Sequence, residues 1–307
     1  MTDGSQRELL SICIPTYNRV GYLRDLLRSI LDQIQKHGLT PRDLGICISD
    51  NASPDETRRV CAEMLGSYGG TVYHRNDTNI GGNANIIQVR TLTRGRYTWV
   101  MGDDELLCDR ALPNILGALA KHEPGLLLAY GASYRLNMTV PALFPTYKEF
   151  AAACMRQNAH ALAEHTLISS NIYLTECFDF DCAWATIRGD AAQSYSYPHM
   201  FGVLKPLIQR KLPVFLPDFP TIDLRTTRAA KAGRWDDLDA VWIEYFTWLR
   251  NELDYPGLDP AAPSRLARRL IWRNLLTNPF GYIWSYRVQL LNPSAYKFLF
   301  RRLTRRY

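Results

Sequence analysis

Three consecutive acids, Asp103-Asp104-Glu105, follow Gly102 and the apolar run Tyr97-Thr98-Trp99-Val100-Met101. That run has the aromatic and β-branched composition of a buried strand, and in open α/β sheets ligands gather beyond the carboxyl ends of such strands. Carboxylates crowded at that edge repel one another unless a cation sits between them, and hard oxygen donors suit Mg2+ or Mn2+. The competing reading is a solvated acidic turn opening the next helix, whose apolar positions Leu112, Ile115, Leu116 and Leu119 come soon after. Pro15-Thr16-Tyr17-Asn18 and Asp50-Asn51 also stand at the ends of apolar runs. A strand-end Tyr and a strand-end Asp can give a nucleotide a flat surface and a fixed polar group. Equally, Tyr17 and Asn18 suit a helix-capping turn and Asp50 an Asx turn.

The elements that must position these residues alternate. Leu9 to Ile14 reads as a strand, and Leu23, Leu26, Leu27, Ile30, Leu31 and Ile34 recur at helical spacing. Leu44 to Ser49 is a second strand, after which Ser53-Pro54-Asp55-Glu56 offers an N-cap, an N1 proline and a capping-box glutamate for a helix ending near Gly66. Thr71 to His74 is a third strand, Asn76 to Gly82 a polar loop, Ile86 to Leu92 a helix and Tyr97 to Met101 the fourth strand. This order predicts an α/β fold: right-handed crossovers and a mostly parallel sheet with helices on both faces. Leu126 to Tyr130 adds a strand, and the pattern then loosens through Pro141 and Pro145, which places a boundary near residue 135. Beyond it, Ile168 to Leu174 alternates like a half-buried strand, and Met200 to Ile208 reads as a helix despite Pro206. Helices are expected around Asp236 to Leu253, Arg265 to Leu276 and from Asn292-Pro293 to about Leu303. The divisions are residues 1–135, 136–255 and a helical C-terminal region, 256–307.

The hydrophobic fraction of 47% and charged fraction of 21% are those of a soluble globular protein. No apolar stretch approaches a membrane-spanning length and the first residues lack the apolar run of a signal peptide, so a cytoplasmic location is expected. Seven cysteines form an odd set without a Cys-x-x-Cys pair and read as reduced core residues rather than a zinc site. The net charge of +6 is divided unevenly. Ala261 to Tyr307 carries ten Arg or Lys and no acid, leaving 26 basic against 30 acidic side chains, a net of −4, in the rest. A basic tail interleaved with Trp272, Phe280, Tyr282, Trp284, Tyr286, Tyr296, Phe298 and Phe300 suits an anionic membrane surface, or else an amphipathic helix packed on the main domain. No recognised motif supports nucleic-acid binding.

Ser11-Ile12-Cys13-Ile14-Pro15-Thr16-Tyr17-Asn18-Arg19, Ile48-Ser49-Asp50-Asn51-Ala52-Ser53, Asn79-Ile80-Gly81-Gly82-Asn83 and Gly102-Asp103-Asp104-Glu105 together resemble, in that order over about 95 residues, the signature of family 2 glycosyltransferases with the GT-A, Rossmann-like fold. The Asn-x-Gly-Gly-Asn loop and the Gly-Asp-Asp form look most like the abequosyltransferase-like members that build polysaccharides. The resemblance implies that Pro15, Thr16, Tyr17 and Asn18 lie at the nucleotide pocket and that Asp50 contacts the base. It further implies that Asn79 and Asn83 belong to the donor-binding loop, that Asp103 faces the ribose or sugar and that Asp104 ligates Mg2+ or Mn2+. Glu105 departs from the commoner Asp and is left as an outer ligand.

Displacement at the anomeric carbon also needs a base on the acceptor side. Many family members carry a Glu-Asp pair there, whereas this sequence has Tyr195-Ser196-Tyr197-Pro198-His199. His199, as an imidazole of near-neutral pKa, is the first candidate and Asp190 the second, with Asp179 and Asp181 nearby; a lone His after Pro also suits a structural role. The resemblance implies a metal-dependent, inverting transfer from a nucleoside diphosphate sugar to a saccharide acceptor. A lipid-linked acceptor and a peripheral position on the inner face of the cell membrane would account for the basic aromatic tail. The alternatives are a soluble small-molecule acceptor, a sugar nucleotidylyltransferase and a non-enzymatic binding module.

Overall fold

The structure is a computed structural model, and it describes residues 7–130, 140–157, 162, 166–188, 198–223 and 246–258. Helices at Arg265 to Leu276 and after Asn292-Pro293, the basic aromatic tail, Asp190 and the boundary near residue 135 fall outside the described residues. The chain separates into two compact units, Met1–Phe150 with His165–Arg225 and Ala151–Glu164 with Thr226–Tyr307. In the second unit residues 246–252 are helical, and Phe246, Leu249 and Leu253 are buried.

The first unit opens with β1 (Leu10–Thr16), α1 (Val20–His37), β2 (Leu44–Asp50), α2 (Thr57–Leu65), β3 (Thr71–Arg75), α3 (Gly82–Gln88) and β4 (Tyr97–Val100). A single 3-10 turn, Val89–Leu92, extends α3. β5 (Leu106–Leu107), α4 (Ala111–His122), β6 (Leu126–Leu128) and β7 (Ala142–Phe144) follow, and α5 (Tyr147–Gln157) starts in this unit and continues into the second. Then come β8 (Asn171–Leu174), α6 (Phe180–Arg188), α7 (Pro198–Gln209), β9 (Val214–Leu216) and β10 (Ile222–Asp223). Among the described residues eight strands form one sheet in the order β3-β2-β1-β4-β8-β6-β9-β7, and β5 pairs with β10. β3, β2, β1 and β4 run parallel, as their alternation with helices requires.

β1, β2 and β4 read as continuous apolar runs because both faces of the sheet are covered. Ile12, Ile14, Ile46, Ile48, Tyr97, Trp99 and Met101 join the large core with Leu23, Leu26, Leu27 and Ile30 of α1 and Leu112, Ile115 and Leu119 of α4. The alternate residues Cys13, Cys47 and Val100 point the other way, to Val89. α1 ends where Gly38 takes φ +62° and donates its N–H back to the last turn, a left-handed cap that suits glycine. Buried Gln33 ties α1 to α4, donating to the Cys108 carbonyl at 2.8 Å and accepting from Leu112 N at 2.9 Å.

Three local expectations are corrected. Ser53 does not cap α2: its hydroxyl accepts from Asn18 N at 2.9 Å, and Asp55 instead accepts from Thr57 N at 3.1 Å, so the helix starts at Thr57. The helix expected from Ile86 begins at Gly82, because Asn85 N already bonds the Gly81 carbonyl at 3.0 Å. Ile168 to Leu174 is a 3-10 turn followed by β8, and Asn171, Ile172 and Tyr173 are all buried rather than alternating. The reason is position, since β8 lies antiparallel between β4 and β6 in the middle of the sheet.

Candidate functional site

Parallel register brings the carboxyl ends of three strands together. Thr16 pairs with Asp50 and Cys13 with Val100, and Met101 N extends the β1–β4 ladder by donating to the Cys13 carbonyl at 2.9 Å. The chain then turns at Gly102, whose N–H donates to Ser169 Oγ at 3.0 Å; a Cβ there would come within 3.0 Å of an Asp104 oxygen.

Asp103 is buried. Its Oδ2 accepts from the Thr16 hydroxyl at 2.8 Å and its Oδ1 from Arg19 Nη1 at 3.1 Å. Asp104 is more open and takes the same Arg19 nitrogen at 3.3 Å. Burial pushes the Asp103 carboxyl up, with Thr16 and Arg19 pulling it back. Glu105 is buried and one of its oxygens, Oε2, has no hydrogen-bond partner among the described residues; burial pushes its carboxyl up to about 8, against the pull of Ser169 and with the charges of Asp104 and Asp103 adding to the rise.

Asp50 lies at the end of β2 with its side chain wholly buried. Its Oδ1 accepts from Ser53 N at 2.8 Å, and its Oδ2 accepts from the Tyr73 hydroxyl at 2.7 Å and from Arg75 Nη1. Burial alone would raise this carboxyl, but the hydrogen bonds from Ser53, Tyr73 and Arg75 prevail and hold it below its ordinary value.

A set of amides fastens the loop opposite. Asn51 Nδ2 donates to Asn79 Oδ1 at 2.8 Å, and Asn51 Oδ1 accepts from Ile80 N at 2.9 Å and Asn76 Nδ2 at 3.0 Å. Buried Asn85 accepts from the Ser49 hydroxyl at 2.7 Å and donates to the Ser49 carbonyl at 3.0 Å. Such a network holds a backbone in place because every buried polar group in it has a partner.

Between that loop and the acids is a cleft of about 310 Å³. Pro15, Thr16, Tyr17, Asp103 and Asp104, all expected from the sequence, line it. Gly82 of the Asn-x-Gly-Gly-Asn loop lines it as well, and so do Arg19, Asn51 and Asn85, which had been given no role. Asn18, Asp50, Asn79 and Asn83 are not among the lining residues. Asn18 instead makes the turn after β1 at φ +53°, and Asn79 closes the loop by accepting from Gly81 N at 2.9 Å. In Asn18 and Arg19 the overlooked signal was adjacency: a residue that tolerates left-handed backbone followed by a long cation.

Residues 11–163 match the family model described as Glycosyl transferase family 2. The chain carries a family 2 glycosyltransferase domain. Within the curated relatives, it is 42% identical to abequosyltransferase RfbV of Salmonella typhimurium over 105 residues, 34% of this chain and 30% of that protein. It is 34% identical to an uncharacterized protein of Mycobacterium tuberculosis over 102 residues, 33% of this chain and 30% of that one. These matches therefore span under a third of each relative's length. The fold is the GT-A α/β arrangement. It superposes on S. aureus TarS residues 1–349 in complex with UDP-GlcNAc (TM-score 0.56, 15% identity, 96% of this chain and 81% of that). It also superposes on the mannosyltransferase PcManGT of Pyrobaculum calidifontis in complex with GDP-Man and Mn2+ (TM-score 0.55, 13% identity, 99% and 86%).

The acceptor-side candidates lie beyond the segment matched by the family 2 model. Asp179 is occupied at the start of α6, accepting from Cys182 N at 2.8 Å and pairing with Lys205 at 3.3 Å. Asp181 is exposed in the first turn of that helix. His199, near the start of α7, is buried with Nε2 2.8 Å from the Thr166 carbonyl and is not among the residues lining the cleft. The near-neutral imidazole expected there is corrected. Burial lowers its pKa from 6.5 to about 4, outweighing the Thr166 hydrogen bond, with the charge of Arg90 adding to the fall.

That depression has a sign. The unfolded chain takes up a proton at His199 near pH 6.5 and the folded chain only near 4, so stability present above pH 6.5 is lost as the pH falls toward 4. The loss should reach about 3 kcal/mol. Urea unfolding of His199→Gln between pH 4 and 6.5 should show a correspondingly flatter profile; a variant that retains the full wild-type slope contradicts the assignment.

Proposed function

We propose that this protein transfers a sugar from a nucleoside diphosphate donor to a hydroxyl of a saccharide acceptor, with a divalent cation and with inversion at the anomeric carbon. The observation that carries the reading is the cleft in which Tyr17 and Thr16 at the end of β1 face the acids after β4. A nucleotide base needs a flat surface and a few fixed polar groups, and this edge supplies both.

The acidic turn suits a hard cation. Asp103 and Asp104 offer only oxygen, and among the described residues no group of three His, Cys, Asp or Glu side chains could cage a metal without help. Mg2+ and Mn2+ are commonly held by one or two carboxylates together with substrate phosphates, which is what Asp104 at the cleft would provide. The bound ion would supply charge neutralisation to the departing diphosphate. Thr16 and the buried Asp103 would fix the carboxylate geometry, and the amide set about Asn51 would hold the loop that borders the cleft. The complexes of TarS with UDP-GlcNAc and of PcManGT with GDP-Man and Mn2+ support this donor chemistry.

For the base, the depressed pKa of His199 weighs against an efficient proton acceptor at neutral pH and leaves Asp190 as the stronger candidate. A lipid-linked saccharide acceptor is supported by the basic, aromatic composition of residues 261–307. No helix among the described residues is long and apolar enough to cross a membrane, and peripheral attachment is compatible with that.

The reading is tested by thermal unfolding of the full chain with UDP, GDP, CDP and dTDP, each with and without Mn2+. One nucleotide should raise Tm by about 5 °C at a hundredfold excess over its Kd, and only with the metal. Absence of any shift across the panel would refute the donor assignment.

A further inference from the structure

We propose that Arg19 is an internal cation that holds the acidic pair before the donor arrives, and that it exchanges Asp104 for a phosphate of the nucleoside diphosphate on binding. This rests on the proposed donor chemistry.

The sequence and backbone make Arg19 a fixed base carrying a movable charge. Asn18 adopts φ +53°, Asn18 N is held by Ser53 Oγ at 2.9 Å, and Val20 N is held by Asp55 Oδ2 at 3.0 Å. The backbone on either side of Arg19 is thus tied to one loop, and Arg19 caps α1, accepting from Leu23 N at its carbonyl. Its side chain is 37% exposed and lines the cleft. One nitrogen, Nη1, reaches both Asp103 Oδ1 at 3.1 Å and Asp104 Oδ2 at 3.3 Å. It therefore takes the position between two carboxylates to which a divalent cation would also be drawn.

Arg19 and such a cation repel one another, so both cannot keep Asp104. The two acids differ in how readily they can release the guanidinium. Asp103 is buried and has the Thr16 hydroxyl as a second donor, so its pairing with Arg19 is the protected one. The Asp104 side chain is 20% exposed and faces the cleft. Pairing between partly exposed groups is weak and readily exchanged. A guanidinium freed on one side presents a planar set of N–H donors that matches phosphate oxygens. Arg19 would then neutralise the diphosphate from the α1 side of the cleft while Asp104 turns to the metal.

The idea predicts effects of opposite sign from one substitution. Mn2+ binding to the full chain, read by the EPR signal of free Mn2+ without nucleotide, should tighten about tenfold in Arg19→Gln, because the competing charge is gone. Binding of the nucleoside diphosphate (UDP, GDP, CDP and dTDP tried in turn) in saturating Mn2+ should weaken about tenfold in the same variant. Arg19→Lys, which keeps the charge, should leave Mn2+ binding near the wild-type value. Unchanged or weaker Mn2+ binding in Arg19→Gln overturns the exchange, as does unchanged nucleotide binding; a parallel fall in both marks Arg19 as purely structural. If wild-type protein binds none of the four nucleotides, the donor assignment fails and this proposal with it. If the wild type binds one and Mn2+ affinity does not respond to Arg19→Gln, only the Arg19 proposal fails.

Discussion

Replacing Asp104 with alanine is expected to abolish metal-dependent stabilisation by the nucleoside diphosphate and to lower kcat/KM by about a thousandfold or more, while the chain stays folded. The first half follows from the donor set: removing Asp104 leaves the buried Asp103, already engaged by Thr16 and Arg19, as the remaining acid of the pair. The second half follows from position. Asp104 is the more open of the two side chains, and its charge raises the carboxyls of Asp103 and Glu105, so its loss relieves repulsion in the turn. Folding stability should therefore be unchanged or slightly higher. Asp104→Asn should fail nearly as badly, since a neutral amide keeps the shape but not the charge. Thermal unfolding with and without Mn2+ and nucleotide, alongside initial rates with the matching nucleotide sugar, separates the two effects. Full activity in Asp104→Ala would remove this residue from the metal site.

What could be read in the chain beforehand was what local pattern controls. β1, β2 and β4 are buried on both faces and stand out as apolar runs, and α1 shows its core-facing stripe at Leu23, Leu26, Leu27 and Ile30. The parallel order followed because β1 to β4 alternate with helices. β8 was not legible in the same way, because its antiparallel place between β4 and β6 is a long-range fact that Asn171-Ile172-Tyr173-Leu174 does not encode. The site divides along the same line. Motif positions led to Pro15, Thr16, Tyr17, Asp103 and Asp104 on one cleft, but not to where each side chain points. Asp50 turns into the protein to serve Ser53, Tyr73 and Arg75, partners up to 25 residues away, and Arg19 meets acids 84 and 85 residues distant. Hydrogen bonding also reassigned Ser53, whose capping pattern is good in isolation but whose hydroxyl serves the β1 turn instead. Burial depends on the whole fold as well, so the pKa of His199 could not be anticipated from its neighbours in sequence.

The largest expected effect on stability is that of Trp99→Ala, about 4 kcal/mol. Among the described residues Trp99 is the bulkiest of the wholly buried side chains, and it lies in the core that α1 and α4 share with the sheet. Its indole N–H donates to the Ser169 carbonyl at 2.8 Å, and the Ser169 hydroxyl in turn accepts from Gly102 N at 3.0 Å. One residue therefore fills the core beneath β4 and steadies the turn that presents the acids. Truncation removes the packing, leaves a cavity and strands the Ser169 carbonyl in an apolar setting. Trp99→Phe restores most of the volume but not the donor, and should cost about 1–2 kcal/mol. The two variants can be compared by urea unfolding, and the site by nucleotide affinity in saturating Mn2+ under conditions where both remain folded. If the Trp99–Ser169–Gly102 link positions the acids, Trp99→Phe should weaken nucleotide binding more than a buried truncation far from the cleft, such as Leu119→Ala, that costs more stability. Equal binding in the two would confine Trp99 to packing and leave Ser169 to hold the turn without it.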